Sequence, residues 1–197
     1  MNRYRVSKAM AVKEAESFAR CRNMNLTIIH PVWVYGEREF SPGFYEYMQF
    51  VKSGIPFGPG SKRNNFHSIY ARDLALAYQL ALEKAPLGVH SYIVGNNPVE
   101  NQHSLFKLIC REMGRRKPIN LPKALVYPIG FASELMATAL NAQQAPFLTR
   151  ARVNMFYDSI GYSTQNAEYE LGFRCSYSLE VGIRNTVKWY IDHELIG

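Results

Sequence analysis

Tyr4 and Lys8 stand four residues apart in the stretch NRYRVSKAM, residues 2–10. On a helix that spacing puts both side chains on one face. An ammonium held beside a phenol favours the phenolate and draws its pKa down from about 10. Such a pair can give and take a proton near neutral pH, and the ammonium can also hydrogen-bond the hydroxyls of a ligand. The chain has thirteen tyrosines, so the spacing by itself leaves an exposed helical pair as an equal reading. The elements that follow must decide between the two.

Other chemistry-bearing residues are sparse. Cys21, Cys110 and Cys175 form an odd set without a CxxC pair, which argues against a disulfide framework or a zinc site and fits buried, inert thiols in a reducing cytoplasm. His30 and His67 read as structural residues, and no metal site is expected. The net charge of +7 is spread along the chain, with short basic groups in SKRNN (61–65) and GRRK (114–117). No nucleic-acid motif accompanies them, so both read as solvated surface and no nucleic-acid partner is expected.

Helix-forming residues without Pro or Gly predict a helix over 4–22. LTIIH (26–30), stopped by Pro31, predicts a short buried strand. The next stretch, 31–43, is broken by Pro and Gly and reads as irregular. A helix is expected over 44–52, then a loop through GIPFGPGSKRNN. Residues 66–85 pass from strand to helix, with Asp73 placed to cap the first turn. A second strand is expected over 89–95, and helices over 102–113, 123–141, 147–157, 164–171 and 179–194. Strand, helix and strand in that order predict parallel βαβ architecture. The turn-rich GNNPVEN (95–101) predicts a boundary between an α/β part, 1–97, and a mainly helical substrate or lid region, 98–197. Residues 1–20 are polar and charged and do not read as a signal peptide. The most apolar stretch, 124–140, is short for a bilayer and holds Pro128, Gly130 and Glu134, so no transmembrane segment is expected.

The order YRVSKAMAVKEAE, HPVWVYGE, IYARDLALAYQLAL, GVHSYIVGN and ELGFRCSYSLEVGIRNTVKWY resembles the C-terminal portion of the extended short-chain dehydrogenase/reductases, the NAD-dependent epimerase/dehydratase group. The resemblance covers essentially the whole chain. It implies an α/β fold: the C-terminal part of a Rossmann-type parallel sheet with a mainly helical substrate-binding domain. It also implies that Tyr4 is the catalytic acid/base and that Lys8 binds the nicotinamide ribose of NAD or NADP. Pro31-Val32-Trp33-Val34-Tyr35-Gly36 is similar to the R-P-x-x-V-Y-G segment that passes the nicotinamide, with His30 in place of Arg. Pro31 and Val32 would then touch the cofactor, and Trp33, Tyr35, Phe40 and Arg63 the substrate. Core filling beside a strand end is the other reading of Trp33, Tyr35 and Phe40. Tyr70 to Ala75 is similar to HVxDLA, with Tyr70 in place of His.

The departures carry as much meaning. The glycine-rich turn T-G-x-x-G-x-x-G, which holds the cofactor's pyrophosphate at a helix N-terminus, does not occur in these 197 residues. Only three residues precede Tyr4, and the Ser/Thr that partners the tyrosine in the family has no counterpart. The expectation is a truncated or separately encoded second half of an NAD(P)-dependent oxidoreductase or epimerase, binding cofactor weakly or not at all by itself. It would associate with itself or with a missing N-terminal half. Phe66 stands at the position where nucleotide-sugar epimerases often carry an Arg, with Lys62 and Arg63 close by in sequence. With the apolar 124–140 segment, this leans toward a small hydrophobic hydroxyl or carbonyl substrate, of the kind handled by hydroxysteroid dehydrogenases and dihydroflavonol reductases. A non-catalytic scaffold derived from the same family is the alternative.

Overall fold

In the computed structural model, residues 3–40, 43–55, 57–58, 64–142, 146 and 148–196 are described. β1 (Leu26–Pro31) and β6 (Val89–Val94) run parallel, from Leu26 opposite Val89 to Pro31 opposite Val94. Between them lie α2 (Phe44–Lys52) and α3 (Ala71–Lys84), as the βαβ expectation requires. β1 was expected to be buried, yet no residue in it is fully so. Among the described residues β6 is its one strand neighbour, and its second edge carries no pairing. A parallel strand normally has neighbours on both edges and layers on both faces.

α1 (Arg3–Cys21) touches both β1 and β6. It rests lightly on them: Ala19 is its one buried side chain among those described, while Tyr4, Met10 and Phe18 are exposed.

The stretch expected to be irregular contains β2 (Trp33–Tyr35), which pairs in parallel with β5 (Ser68–Tyr70). Two further two-residue pairings were not expected. β3 (Phe57–Gly58) pairs with β8 (Ile119–Asn120), and β4 (Asn65–Phe66) pairs antiparallel with β7 (Glu100–Asn101). The remaining helices are α4 (Gln102–Glu112), α5 (Lys123–Ala139), α6 (Arg150–Tyr157), α7 (Gln165–Glu170) and α8 (Leu179–Asp192). Several begin on side-chain caps that satisfy otherwise unpaired N–H groups. Asn101 accepts from Ser104, Thr149 from Arg152 and Ser178 from Val181.

Asp73 does not cap α3. The helix starts at Ala71 without a side-chain cap, and the buried Asp73 carboxylate instead accepts the backbone N–H of Ser176 at 2.7 Å. The pull of a distant loop overrides the local capping pattern.

Two cores form. One is aromatic and gathers Tyr35, Phe44, Tyr47, Phe106, Phe156 and Tyr190. The other is more aliphatic, with Ile69, Ala77, Val94 and Leu171 around Tyr92 and Phe173. Both draw residues from either side of position 97.

Candidate functional site

The carboxyl end of β1 is where the sheet divides. Pro31 is still opposite Val94, and the Val32 N–H donates to the Val94 carbonyl at 3.1 Å. One residue later the Trp33 N–H donates to His67 O at 3.2 Å, and the chain continues as the neighbour of β5. β1 thus leaves β6 for β5 at Val32. In open α/β sheets ligands bind outside the carboxyl ends of strands, where neighbouring strands part.

A cavity of about 540 Å³ lies at this point, lined by His30, Pro31, Val32, Ser91, Ile93, Tyr162, Ser163 and Asn166. Its polar groups are an imidazole, three hydroxyls and a carboxamide, and no Lys, Arg, Asp or Glu is among the lining residues. Such a lining suits a neutral hydrogen-bonding group better than a phosphate.

α1 is laid toward the same end. Residues 22–25 join it directly to β1, so helix and strand run in opposite directions. At about 1.5 Å per residue, thirteen residues of helix from Cys21 back to Lys8 match the roughly 20 Å length of β1. Tyr4 lies about one turn N-terminal to Lys8 on that helix. The Lys8 ammonium sits 5.7 Å from the centroid of the Tyr4 ring, within cation–π range. Both side chains are exposed and neither lines the cavity.

The other expected site residues separate into groups. Pro31 and Val32 line the cavity. Trp33 and Tyr35 turn into the aromatic core: Trp33 lies 5.0 Å from the Phe66 ring and 5.7 Å from Tyr47, and Tyr35 is stacked on Phe44 and Tyr70. Burial pushes the Tyr35 phenol well above its ordinary pKa. Phe40 is exposed and meets Tyr45, Trp189 and Tyr190 edge-on, beside α2 and α8. Arg63 lies outside the described residues.

A buried imidazole braces the backbone of Tyr162, one of the lining residues. His67 Nδ1 accepts the backbone N–H of Tyr162 at 3.1 Å, so Nε2 must carry the proton it donates to Asn96 O at 2.8 Å. Both ring nitrogens are thus committed to the neutral form. Burial accordingly lowers the pKa of His67, opposed by the Asn96 hydrogen bond. Gly95 runs so close that a Cβ there would overlap His67 and Val32. His67 is structural, as its sequence context implies.

Tyr70, buried at the start of α3, donates to Glu37 Oε1 at 2.7 Å, and Arg72 reaches the same oxygen at 3.0 Å. Burial, and then the Glu37 hydrogen bond, push the Tyr70 phenol up to about 12. Glu37 and Arg72 form a pair tying the loop after β2 to α3. Cys175 is no nucleophile: burial, and next the charge of Asp73, push its thiol up to about 12. Burial also raises the Cys110 thiol, whereas Cys21 is exposed, contrary to the expectation that all three are buried.

Sequence reasoning missed Ser91, Tyr162, Ser163 and Asn166. Ser91 sits in an ordinary strand pattern. The run GYSTQN (161–166) reads locally as nothing more than the start of α7.

No protein-family model matches the sequence. Solved structures do. A protein designated gox2253 superposes with a TM-score of 0.73 at 23% identity, over 98% of this chain and 57% of that one. UDP-glucose 4-epimerase from Thermotoga maritima, solved with UDP-glucose, gives 0.66 at 20% identity, over 96% and 53%. dTDP-glucose 4,6-dehydratase from Bacillus anthracis, in complex with NAD, gives 0.68 at 16% identity, over 99% and 54%. The fold is that of the C-terminal part of these Rossmann-type epimerases and dehydratases. The chain spans little more than half the length of the structures it matches.

Proposed function

We propose that this chain forms the acid/base and substrate-facing part of an NAD(P)-dependent oxidoreductase or epimerase of the extended short-chain dehydrogenase/reductase family. What supports this reading is the Tyr4-x-x-x-Lys8 pair, held 5.7 Å apart on the helix that leads by a short turn into β1, the strand whose carboxyl end opens on the cavity. The solved neighbour described in complex with NAD supports the cofactor class.

The residues present fit one end of a dinucleotide. Lys8 would hold the ribose hydroxyls, while Pro31 and Val32 would wall the nicotinamide beside the neutral cavity. The phosphate cradle is a different matter, because no glycine-rich turn of the required form exists in the 197 residues. When bound, the cofactor supplies hydride acceptance and donation at a carbinol carbon. Tyr4 Oη takes the proton of the substrate hydroxyl, or returns it to the carbonyl oxygen. Lys8, on the same helix face, keeps its positive charge beside that phenol.

For the substrate, a compact hydrophobic alcohol or ketone fits better than a nucleotide sugar. Phe66, at the position where nucleotide-sugar members of the family often carry an Arg, is buried against Trp33 and holds no charge for a diphosphate.

The test joins this chain, by fusion or co-expression, to a glycine-rich cofactor-binding half and follows reduction of NAD(P) with alcohol substrates. Tyr4→Phe should lower kcat by about 10²–10⁴-fold with little change in KM. Lys8→Met should raise the KM for cofactor. Unchanged turnover in Tyr4→Phe would refute the role given to Tyr4.

A further inference from the structure

α5 is unlike every other long helix of the chain. It lays Val126 and Gly130 against α6, its main neighbour, where Gly130 approaches Thr149 and Val153 closely. Everything on the opposite side is apolar or small. Leu125, Ile129, Leu135, Met136 and the following Leu140 are each more than half exposed, and Tyr127 and Phe131 flank them. On a wheel of 100° per residue, the arc from Tyr127 round to Leu140 contains Thr138 as its most polar member and no charged residue.

The helix has one acidic side chain, Glu134. It is turned inward and neutralised by Arg150, which donates to it through both its backbone N–H and its Nε at 2.7 Å. The Arg150 guanidinium also lies 4.8 Å over the Phe131 ring. A surface helix normally keeps charge on its outward face, and an apolar patch of this size on a folded protein marks a contact site.

The charge around the helix says what makes the contact. From Met113 to Tyr157 the sequence holds six Lys and Arg against the single Glu134. Lys123, Arg150 and Arg152 are ion-paired with Asp158, Glu134 and Glu46, so the charge offered to a partner is that of Arg115, Arg116 and Lys117. Exposed Arg115 and Arg116 precede the apolar run. A second copy of this chain would bring the same excess of positive charge against itself, which opposes pairing. A bilayer carrying anionic lipids offers both an apolar phase for the ridge and negative charge for its flanks. Spanning is excluded for α5: none of the described helices is long and apolar enough to cross a membrane.

We propose that α5 is a membrane-contact helix. Its outer face lies in the boundary between headgroups and acyl chains of an anionic bilayer, with Arg115 and Arg116 on the headgroups and α6 holding the helix from the protein side. The inference rests on α5 and its flanks alone and stands or falls independently of the roles of Tyr4 and Lys8.

Flotation of the 197-residue protein with vesicles tests it, because aggregated protein does not float. The protein should rise with phosphatidylcholine–phosphatidylserine vesicles and much less with phosphatidylcholine alone, and high salt should weaken the binding. Ile129→Glu with Met136→Glu should lower the floated fraction about tenfold or more while circular dichroism and melting stay those of the parent. Arg115→Glu with Arg116→Glu, remote from any packed residue of α5, should weaken binding to the anionic vesicles alone. Flotation of both double variants equal to that of the parent overturns the proposal. So does a protein that ignores vesicles and forms a dimer which Ile129→Glu with Met136→Glu dissociates, since the face would then belong to a second copy.

Discussion

Asp73 Oδ1 accepts the backbone N–H of Ser176 at 2.7 Å, joining the first turn of α3 to a loop 103 residues away. That loop carries Cys175 and leads into α8, so the buried carboxylate helps hold the returning C-terminal segment against the α/β part, beside the Tyr92–Glu170 and Asn97–Glu168 hydrogen bonds. Burial pushes the Asp73 carboxyl upward, and the N–H groups of Ser176 and Tyr177 oppose the shift. For a carboxyl raised in the fold, stability falls as pH rises through the folded value, because the ionised form is the disfavoured one. Asp73→Ala should therefore cost about 1–3 kcal/mol by orphaning the N–H. Asp73→Asn, which keeps an acceptor and discards the charge, should cost clearly less. Urea unfolding at neutral pH compares the two, and equal losses would contradict this account.

The neutral His67 gives a pH dependence of opposite sign. Its folded pKa is lowered, so its contribution is present above the unfolded value near 6.5 and is lost as pH falls below it. Melting temperature should drop between neutral pH and about pH 5 in the parent protein. In His67→Gln the curve should start lower and lose much of that slope. A variant as acid-sensitive as its parent would place the titration elsewhere.

Gly182 on α8 passes directly over the Tyr35 ring, and a Cβ there would overlap the Tyr35 hydroxyl. Gly182→Ala should destabilise by about 1–3 kcal/mol through overpacking. The double variant with Tyr35→Phe should recover part of the loss, because removing the hydroxyl makes the room the methyl needs. Additive losses would show that the two positions do not share the strain.

The cofactor prediction is as direct. In the proposed reading Pro31 and Val32 would wall a nicotinamide end, but no glycine-rich turn of the required form occurs in the 197 residues. Titration of the 197-residue chain with NAD or NADP should therefore show no saturable heat at micromolar concentrations. Micromolar affinity would require a phosphate site built by other residues.

Long elements with a clear apolar period were legible from the sequence. α5 and α8 begin at the expected residues and end two residues early, α3 ends one residue early within the expected strand-to-helix stretch, and β1 and β6 lie where Val and Ile cluster. What was not legible depends on partners far along the chain. The two-residue strands β3, β4, β7 and β8 have no period to read, and β2 hides between Pro31 and Gly36. At the cavity, Pro31 and Val32 were read from motif order, whereas Tyr4 and Lys8, read from the same order, do not line it. Ser91, Tyr162 and Asn166 could not be read in that way, since only the crossing of β6 and α7 brings them to one cavity. The same holds for Asp73: an acid in a first turn reads as a cap, and Ser176 is too distant to betray the competing bond.

β5 sits between the two cores, and its side chains alternate between them: Ile69 belongs to the aliphatic cluster and Tyr70 to the aromatic one. Because successive strand residues face opposite ways, one inserted or deleted residue there would send a tyrosine among the alanines of α3. It would also leave a hole beside Tyr35 and Phe44. Apolar exchanges at Ile69 should be borne far better than any change in the length of the strand. In a lineage of such chains, the spacing from Phe66 to Asp73 would be held more tightly than the residues that fill it.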